Sequence, residues 1–162
     1  MNLRPLLKFY RYLWAWENYL LLPRTVRAAR LVRGKMPDGN LTPRLAAALP
    51  VIDACYLTPQ PGWHISDAAK ITRFASFVVN FPTQWGRCLQ RSLIAYRLLN
   101  GYGVAAHLCI GVDREDASRD GHVWVMTADG QAIGESVEPR DRYQTIFISP
   151  LPYKPENASA HQ

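Results

Sequence analysis

The sequence predicts an α+β domain in which N-terminal helices precede a small antiparallel sheet packed on the helix that carries Cys88. Two patterns carry that expectation. Up to Gly103, apolar residues recur at helical spacing between breaks marked by Pro and Gly. Beyond it, Leu108, Ile110 and Val112 alternate with His107, Cys109 and Gly111. Size gives the third observation: 162 residues, 48% hydrophobic and 20% charged, suit one modest core rather than two.

Leu6 to Leu22 is rich in Leu, Trp and Tyr and reads as an amphipathic first helix, ended by Pro23. Lys8, Arg11, Glu17 and Asn18 interrupt it, so no apolar run approaches the roughly 20 residues of a membrane span. Pro23-Arg24-Thr25 follows instead of a small-residue cleavage site, which argues against a signal peptide. The simplest placement is against the rest of the domain. Contact with a partner is an alternative, and contact with a membrane surface a lesser one.

A second helix is expected from Thr25 to Arg33 and a loop from Gly34 to Asn40. Thr42 before Pro43 reads as an N-cap with proline at the first helical position, opening a third helix toward Tyr56. The Thr58–Gly62 cluster breaks it, and Ser66 caps a fourth helix running to Val79, with Asp67 at its positive end. After a break over Asn80–Gly86, Leu89, Leu93 and Tyr96, widened by Ile94, Leu98 and Leu99, mark a buried helix over Arg87–Asn100 that Gly101 or Gly103 ends. His107–Val112 and His122–Met126 then read as strands. Asp129-Gly130 reads as a two-residue hairpin turn into a third strand over Gln131–Val137, and Tyr143–Ser149 as a fourth. The Pro-containing tail is expected to fray.

Charge and cysteine usage exclude several classes. The net charge of +6 is uneven: residues 1–50 hold nine Lys/Arg against Glu17 and Asp38, or +7, and the remainder holds ten against eleven acids, or −1. No aromatic-basic interleaving accompanies the excess, so nucleic acid is not an expected partner. Arg24, Arg27 and Arg30 recur on one helical face; a solvated face is the simpler reading, and docking of a partner the alternative. Three cysteines with no C-x-x-C spacing suggest neither a disulfide framework nor a zinc site, and fit a reducing, cytoplasmic setting.

Cys88 carries the chemistry. A helix N-terminus favours an anion, so a thiol placed there shifts toward the thiolate, and Arg87 and Arg91 add positive charge within about one turn. Cys55 and Cys109 read as small buried hydrophobes. Of four histidines, His64 lies in a Pro/Gly loop and His107 at a strand start, which leaves His122 as the base, with Trp124 on the same strand face. The two-residue turn would pair Trp124 with Glu135 and so put Glu135 on the face of His122 as a diagonal neighbour, about 7–8 Å away by sheet geometry. A one-residue slip would expel it. Cys88, His122 and Glu135 form the expected catalytic set. The Cys88 N–H would be one oxyanion donor and Gln84, or else Trp85, would supply the second, with Arg91 and Trp124 in support. No cofactor or metal is expected.

Arg87-Cys-Leu-Gln-Arg-Ser-Leu93, Leu98-Leu99, Gly103-Val104, Leu108-Cys-Ile-Gly-Val112 and Gly121-His-Val-Trp-Val125 closely resemble the peptidase half of the lasso-peptide B proteins, which are transglutaminase-like cysteine peptidases. The resemblance spans roughly residues 70–137. It implies nucleophile Cys88, base His122, and an acid that is usually Asp where this chain has Glu135. It further implies leader removal from a ribosomally made precursor peptide, beside a separate leader-recognition protein and an ATP-dependent lasso cyclase. On this reading residues 1–66 are a basic helical portion packed on the core, 67–150 the catalytic core, and 151–162 a flexible tail. A transglutaminase-like acyltransferase on the same three residues, or a non-catalytic peptide-binding module, are the alternatives.

Overall fold

The computed structural model describes residues 16–35, 45–80, 87–115 and 121–149. The chain has the α+β order that its sequence predicts. The described elements are α1 (Trp16–Lys35), α2 (Leu45–Cys55), α3 (Ala69–Asn80), α4 (Arg87–Gly101), β1 (Ala106–Asp113), β2 (Gly121–Thr127), α5 (Pro139–Arg142) and β3 (Tyr143–Ile148). Expectations that concern residues 6–15, the Thr42-Pro43 cap, Gln84, Trp85 and the tail lie outside the described residues.

α4 runs through the middle of the domain. Leu93, Ile94, Ala95, Leu98 and Leu99 are all buried in it, and α1, α3 and the β1–β2 pair pack around them. Each fully buried Leu or Ile here stabilises the fold by about 1.5–3 kcal/mol. At the far end of the helix, Asn100 donates to Tyr96 O at 2.9 Å and Ala106 O at 3.2 Å, which fastens α4 to the start of β1. Gly103 N–H and Val104 N–H bond back to Asn100 O and Leu99 O and close the helix.

The three strands lie in the order β2-β1-β3, all antiparallel, with β1 central. His122 pairs with Gly111, and Trp124 with Cys109. A bulge at Ile110/Gly111 shifts the β1–β3 register, so that Gly111 faces Thr145 and Asp113 faces Tyr143. His122, Trp124, Gly111 and Tyr143 therefore share one face of the sheet.

Several local expectations are corrected. Pro23 does not end a helix but lies inside α1. Proline removes one helical hydrogen bond, yet buried Leu21, Thr25, Ala28, Ala29 and Val32 continue one stripe across it, and that packing outweighs the local cost. Asp67, rather than Ser66, caps α3: its Oδ1 accepts from Ala69 N–H at 2.8 Å, while Ser66 Oγ accepts from Lys70 Nζ at 3.0 Å. Arg24 leaves the supposed basic face. Its guanidinium sits 4.0 Å over the Trp63 ring and donates to Tyr102 Oη at 2.8 Å, and only Arg27 and Arg30 of that trio are exposed.

The most consequential correction is the hairpin after β2. Gly130 N–H donates to Thr127 O, Thr127 N–H to Gln131 O, and Ile133 N–H to Val125 O, each at 2.9 Å. The loop is thus three residues, Ala128 to Gly130, with Gly130 at φ +86°, and Ala132 rather than Ile133 faces Met126. The register is one residue away from the two-residue turn. The expected strand over Gln131–Val137 reduces to that one bridge before the chain enters α5.

Candidate active site

Cys88 is the second residue of α4, where backbone N–H groups have no intrahelical acceptor. Its half-buried sulfur has the His122 imidazole and the backbone N–H groups of Val123 and Leu89 placed to stabilise a thiolate. Burial alone would push the thiol pKa up. The three hydrogen bonds and the charge of His122 outweigh it, and the net result is a pKa below the ordinary 9.0. Among the described residues neither Cys55 nor Cys109 has such partners, and burial pushes each to about 11.

The same contact seen from the ring pushes His122 up from 6.5 to about 9. The hydrogen bond to Cys88 contributes most, that to Glu135 next, and both work against burial. Thiolate and imidazolium are therefore mutually stabilising. Two aromatic rings flank the imidazole: Trp124, fully buried, at 6.0 Å and 14°, and Tyr143 at 5.0 Å and 25°. The Tyr143 stack forms across β1 at Gly111, where a Cβ would meet the Trp124 ring at 2.9 Å and Gln144 O at 3.0 Å. A side chain at 111 would displace the Trp124 ring that flanks the imidazole.

Glu135 lies between two cations. Its Oε2 is 3.4 Å from His122 Nε2, a long hydrogen bond to which the charge of the carboxylate adds. Its Oε1 takes a short charge-assisted hydrogen bond from the Arg91 guanidinium. Arg91, one turn along α4 from Cys88, is thus engaged with the acid, and the thiol owes its lowered pKa to hydrogen bonds and His122 instead. Glu135 meets His122 by a route other than the expected diagonal pairing. With the slipped register, an extended strand would turn Glu135 to the opposite face. Gly134, at φ +77°, breaks that alternation immediately before it. Gly134 also lies so close to α3 that a Cβ would fall 2.2 Å from Thr72 Oγ1.

The structure thus brings Cys88, His122, Glu135, Arg91 and Trp124 together. Gln84 and Trp85 lie outside the described residues. Among the other histidines, His64 is exposed and His107 holds Ser149 O at 2.8 Å through Nδ1. Tyr143, Gly134 and Ser92 were not singled out from the sequence. Ser92 carried a readable sign, a hydroxyl four residues after Cys88 and hence on the same helical face, whereas Tyr143 arrives through a β1–β3 pairing that no local pattern announces. Among the described residues no helix is long and apolar enough to cross a membrane, and no three His, Cys, Asp or Glu side chains are grouped to hold a metal.

A family model described as the transglutaminase-like superfamily matches residues 19–148, a span that contains Cys88, Arg91, His122, Trp124 and Glu135. No curated protein and no solved structure matches the chain.

Proposed function

Because this chain belongs to the transglutaminase-like superfamily, we propose that it is a cysteine peptidase that removes the leader from a ribosomally made precursor in lasso-peptide maturation. The observation that carries the reading is the Cys88–His122 contact, with a thiol pKa lowered despite burial and an imidazole raised to about 9. The arrangement stores a nucleophile and its proton side by side.

In the proposed reaction, His122 Nε2 is turned to Glu135, which leaves Nδ1 to take the thiol proton. The thiolate attacks the scissile carbonyl carbon, and the resulting oxyanion is met by N–H groups at the start of α4, that of Cys88 first. The imidazolium gives its proton to the leaving amine as the C–N bond breaks, which leaves a thioester on Cys88. Water, losing a proton to His122, then hydrolyses the thioester and restores the thiol. Glu135 keeps the ring oriented and its cation stabilised throughout.

The family name favours a second reading on the same atoms, in which an amine in place of water resolves the thioester. Mass separates the two, since hydrolysis adds the elements of water and amine capture does not. The lasso assignment rests on the Cys88–Leu93 and Gly121–Val125 motifs. It carries with it a cytoplasmic setting, a separate leader-recognition protein and an ATP-dependent cyclase. The test is precursor cleavage in the presence of the recognition protein, followed by mass spectrometry. Wild type releases the leader and Cys88→Ala does not; undiminished cleavage by Cys88→Ala overturns the proposal.

A further inference from the structure

β2 is an outer strand of the described sheet, and an outer strand must satisfy the N–H and C=O groups that point away from its neighbour. Which residues point outward follows from β1. Leu108 spends both backbone groups on Ser149, donating to Ser149 Oγ and accepting from Ser149 N–H, each at 2.8 Å. Its partner across the pair, Val125, must therefore turn its own groups outward, and so must Val123 two residues away. Val125 O is satisfied by Ile133 N–H. Among the described residues no strand lies beside Val123, which uses the helix instead. Its carbonyl accepts from Ser92 Oγ at 2.8 Å, and its N–H is directed at Cys88 Sγ.

Cys88 and Ser92 are four apart on α4, hence one above the other on a single helical face. One turn of α4 thus serves as the missing strand for the residue next to His122. Ser92 is 2% exposed and Val123 8% exposed, so water is not an easy substitute for either group.

We propose that Ser92 is a positioning residue: its hydroxyl, bonded to Val123 O, docks α4 on the edge of β2 at the register that presents Val123 N–H and the His122 ring to Cys88 Sγ. This rests on the reading of Cys88 as an ionised nucleophile. Without the hydroxyl, a buried carbonyl loses its donor and the helix loses its tether at the point where sulfur and imidazole must meet. The thiolate then loses donors and becomes the less favoured form.

The test is the pH dependence of Cys88 alkylation by iodoacetamide in the full chain, read by tryptic mapping. Trypsin separates Cys88-Leu-Gln-Arg91 from the peptide that begins at residue 92, so a cysteine introduced there is counted apart. Ser92→Ala is expected to move the alkylation midpoint up by about one pH unit and to lower kcat/KM for precursor cleavage about ten-fold. Ser92→Thr, which keeps the hydroxyl, is expected to restore the midpoint. Should Ser92→Ala fail to fold, Ser92→Cys keeps the volume with a weaker donor and is expected to give an intermediate upward shift. An unchanged midpoint in Ser92→Ala, or in Ser92→Cys where that is the variant that folds, overturns the inference even if its melting temperature falls, because the bond would then be structural only. Alkylation needs no substrate, so an inert wild-type Cys88 would instead refute the functional reading.

Discussion

Replacing Glu135 by Gln keeps the size of the side chain and removes the one charge that links His122 to Arg91. In the native site His122 is raised from 6.5 to about 9, with Cys88 the larger contributor and Glu135 the next. Loss of the carboxylate leaves the thiol's share in place, so the imidazolium should lose its proton roughly one pH unit earlier, equivalent to about 1.4 kcal/mol. The Gln amide also presents an N–H to the ring in place of an acceptor, which favours the wrong tautomer for proton transfer from Cys88. The expected result is a fall in kcat/KM of about 10²–10⁴-fold, the usual range for a lost contribution to acid–base catalysis. The alkaline limb of the pH profile should move from near 9 to near 8. Arg91 is a quarter exposed and becomes partly hydrated when it loses its partner, so stability should fall by only about 1 kcal/mol. The assay is cleavage rate against pH with denaturant melts run in parallel. An alkaline limb that stays at its wild-type position would show that Glu135 is not what sustains the imidazolium, and the three-residue reading of the site would fail.

Other predictions follow from the same geometry. The wild-type profile of kcat/KM should be bell-shaped, rising as Cys88 ionises below the ordinary thiol value and falling near 9 as His122 deprotonates. Stability is linked in the same window. The raised His122 pKa contributes fully below about 6.5 and is lost as pH rises through about 9, whereas the lowered Cys88 pKa contributes above 9.0 and is lost as pH falls through its folded value. Thermal melts from about pH 6.5 upward should show the His122 contribution being lost as pH passes about 9. Gly134→Ala forces a side chain into a left-handed conformation and against Thr72, which should cost at least about 1–3 kcal/mol and reduce cleavage by misplacing Glu135; denaturant melts and precursor assays read the two effects. Tyr143→Leu removes a ring stacked on the base, a contact worth about 0.5–1.5 kcal/mol. It should lower kcat/KM several-fold while the protein stays folded by circular dichroism.

Local pattern determined much of this protein. The change of period after Gly103 separated helices from strands, because a helix and a strand bury different sequence spacings and no tertiary contact is needed to read them. The N-terminal position of Cys88 on α4 was equally local, as was the choice of His122 over His64 and His107. Where tertiary packing overrode local cost, the reading failed: the buried stripe of α1 runs through Pro23.

The acid shows most clearly what the sequence leaves open. Glu135 was selected by assuming a two-residue turn and an extended strand; the turn has three residues and the strand is absent, yet the carboxylate reaches His122 because the chain bends at Gly134 against Thr72. Strand alternation is a rule about uninterrupted backbone, and one residue at positive φ cancels it. The contacts of Arg91, Ser92 and Tyr143 likewise needed the folded chain, since each joins segments 20 or more residues apart whose approach is fixed by packing of the whole core. The sequence alone picked out groups that could do chemistry and, for Cys88 and His122, the kind of element each would sit on. Only the tertiary structure decided which of them touch, because contact depends on register and crossing geometry summed over the domain, and a single turn can shift both.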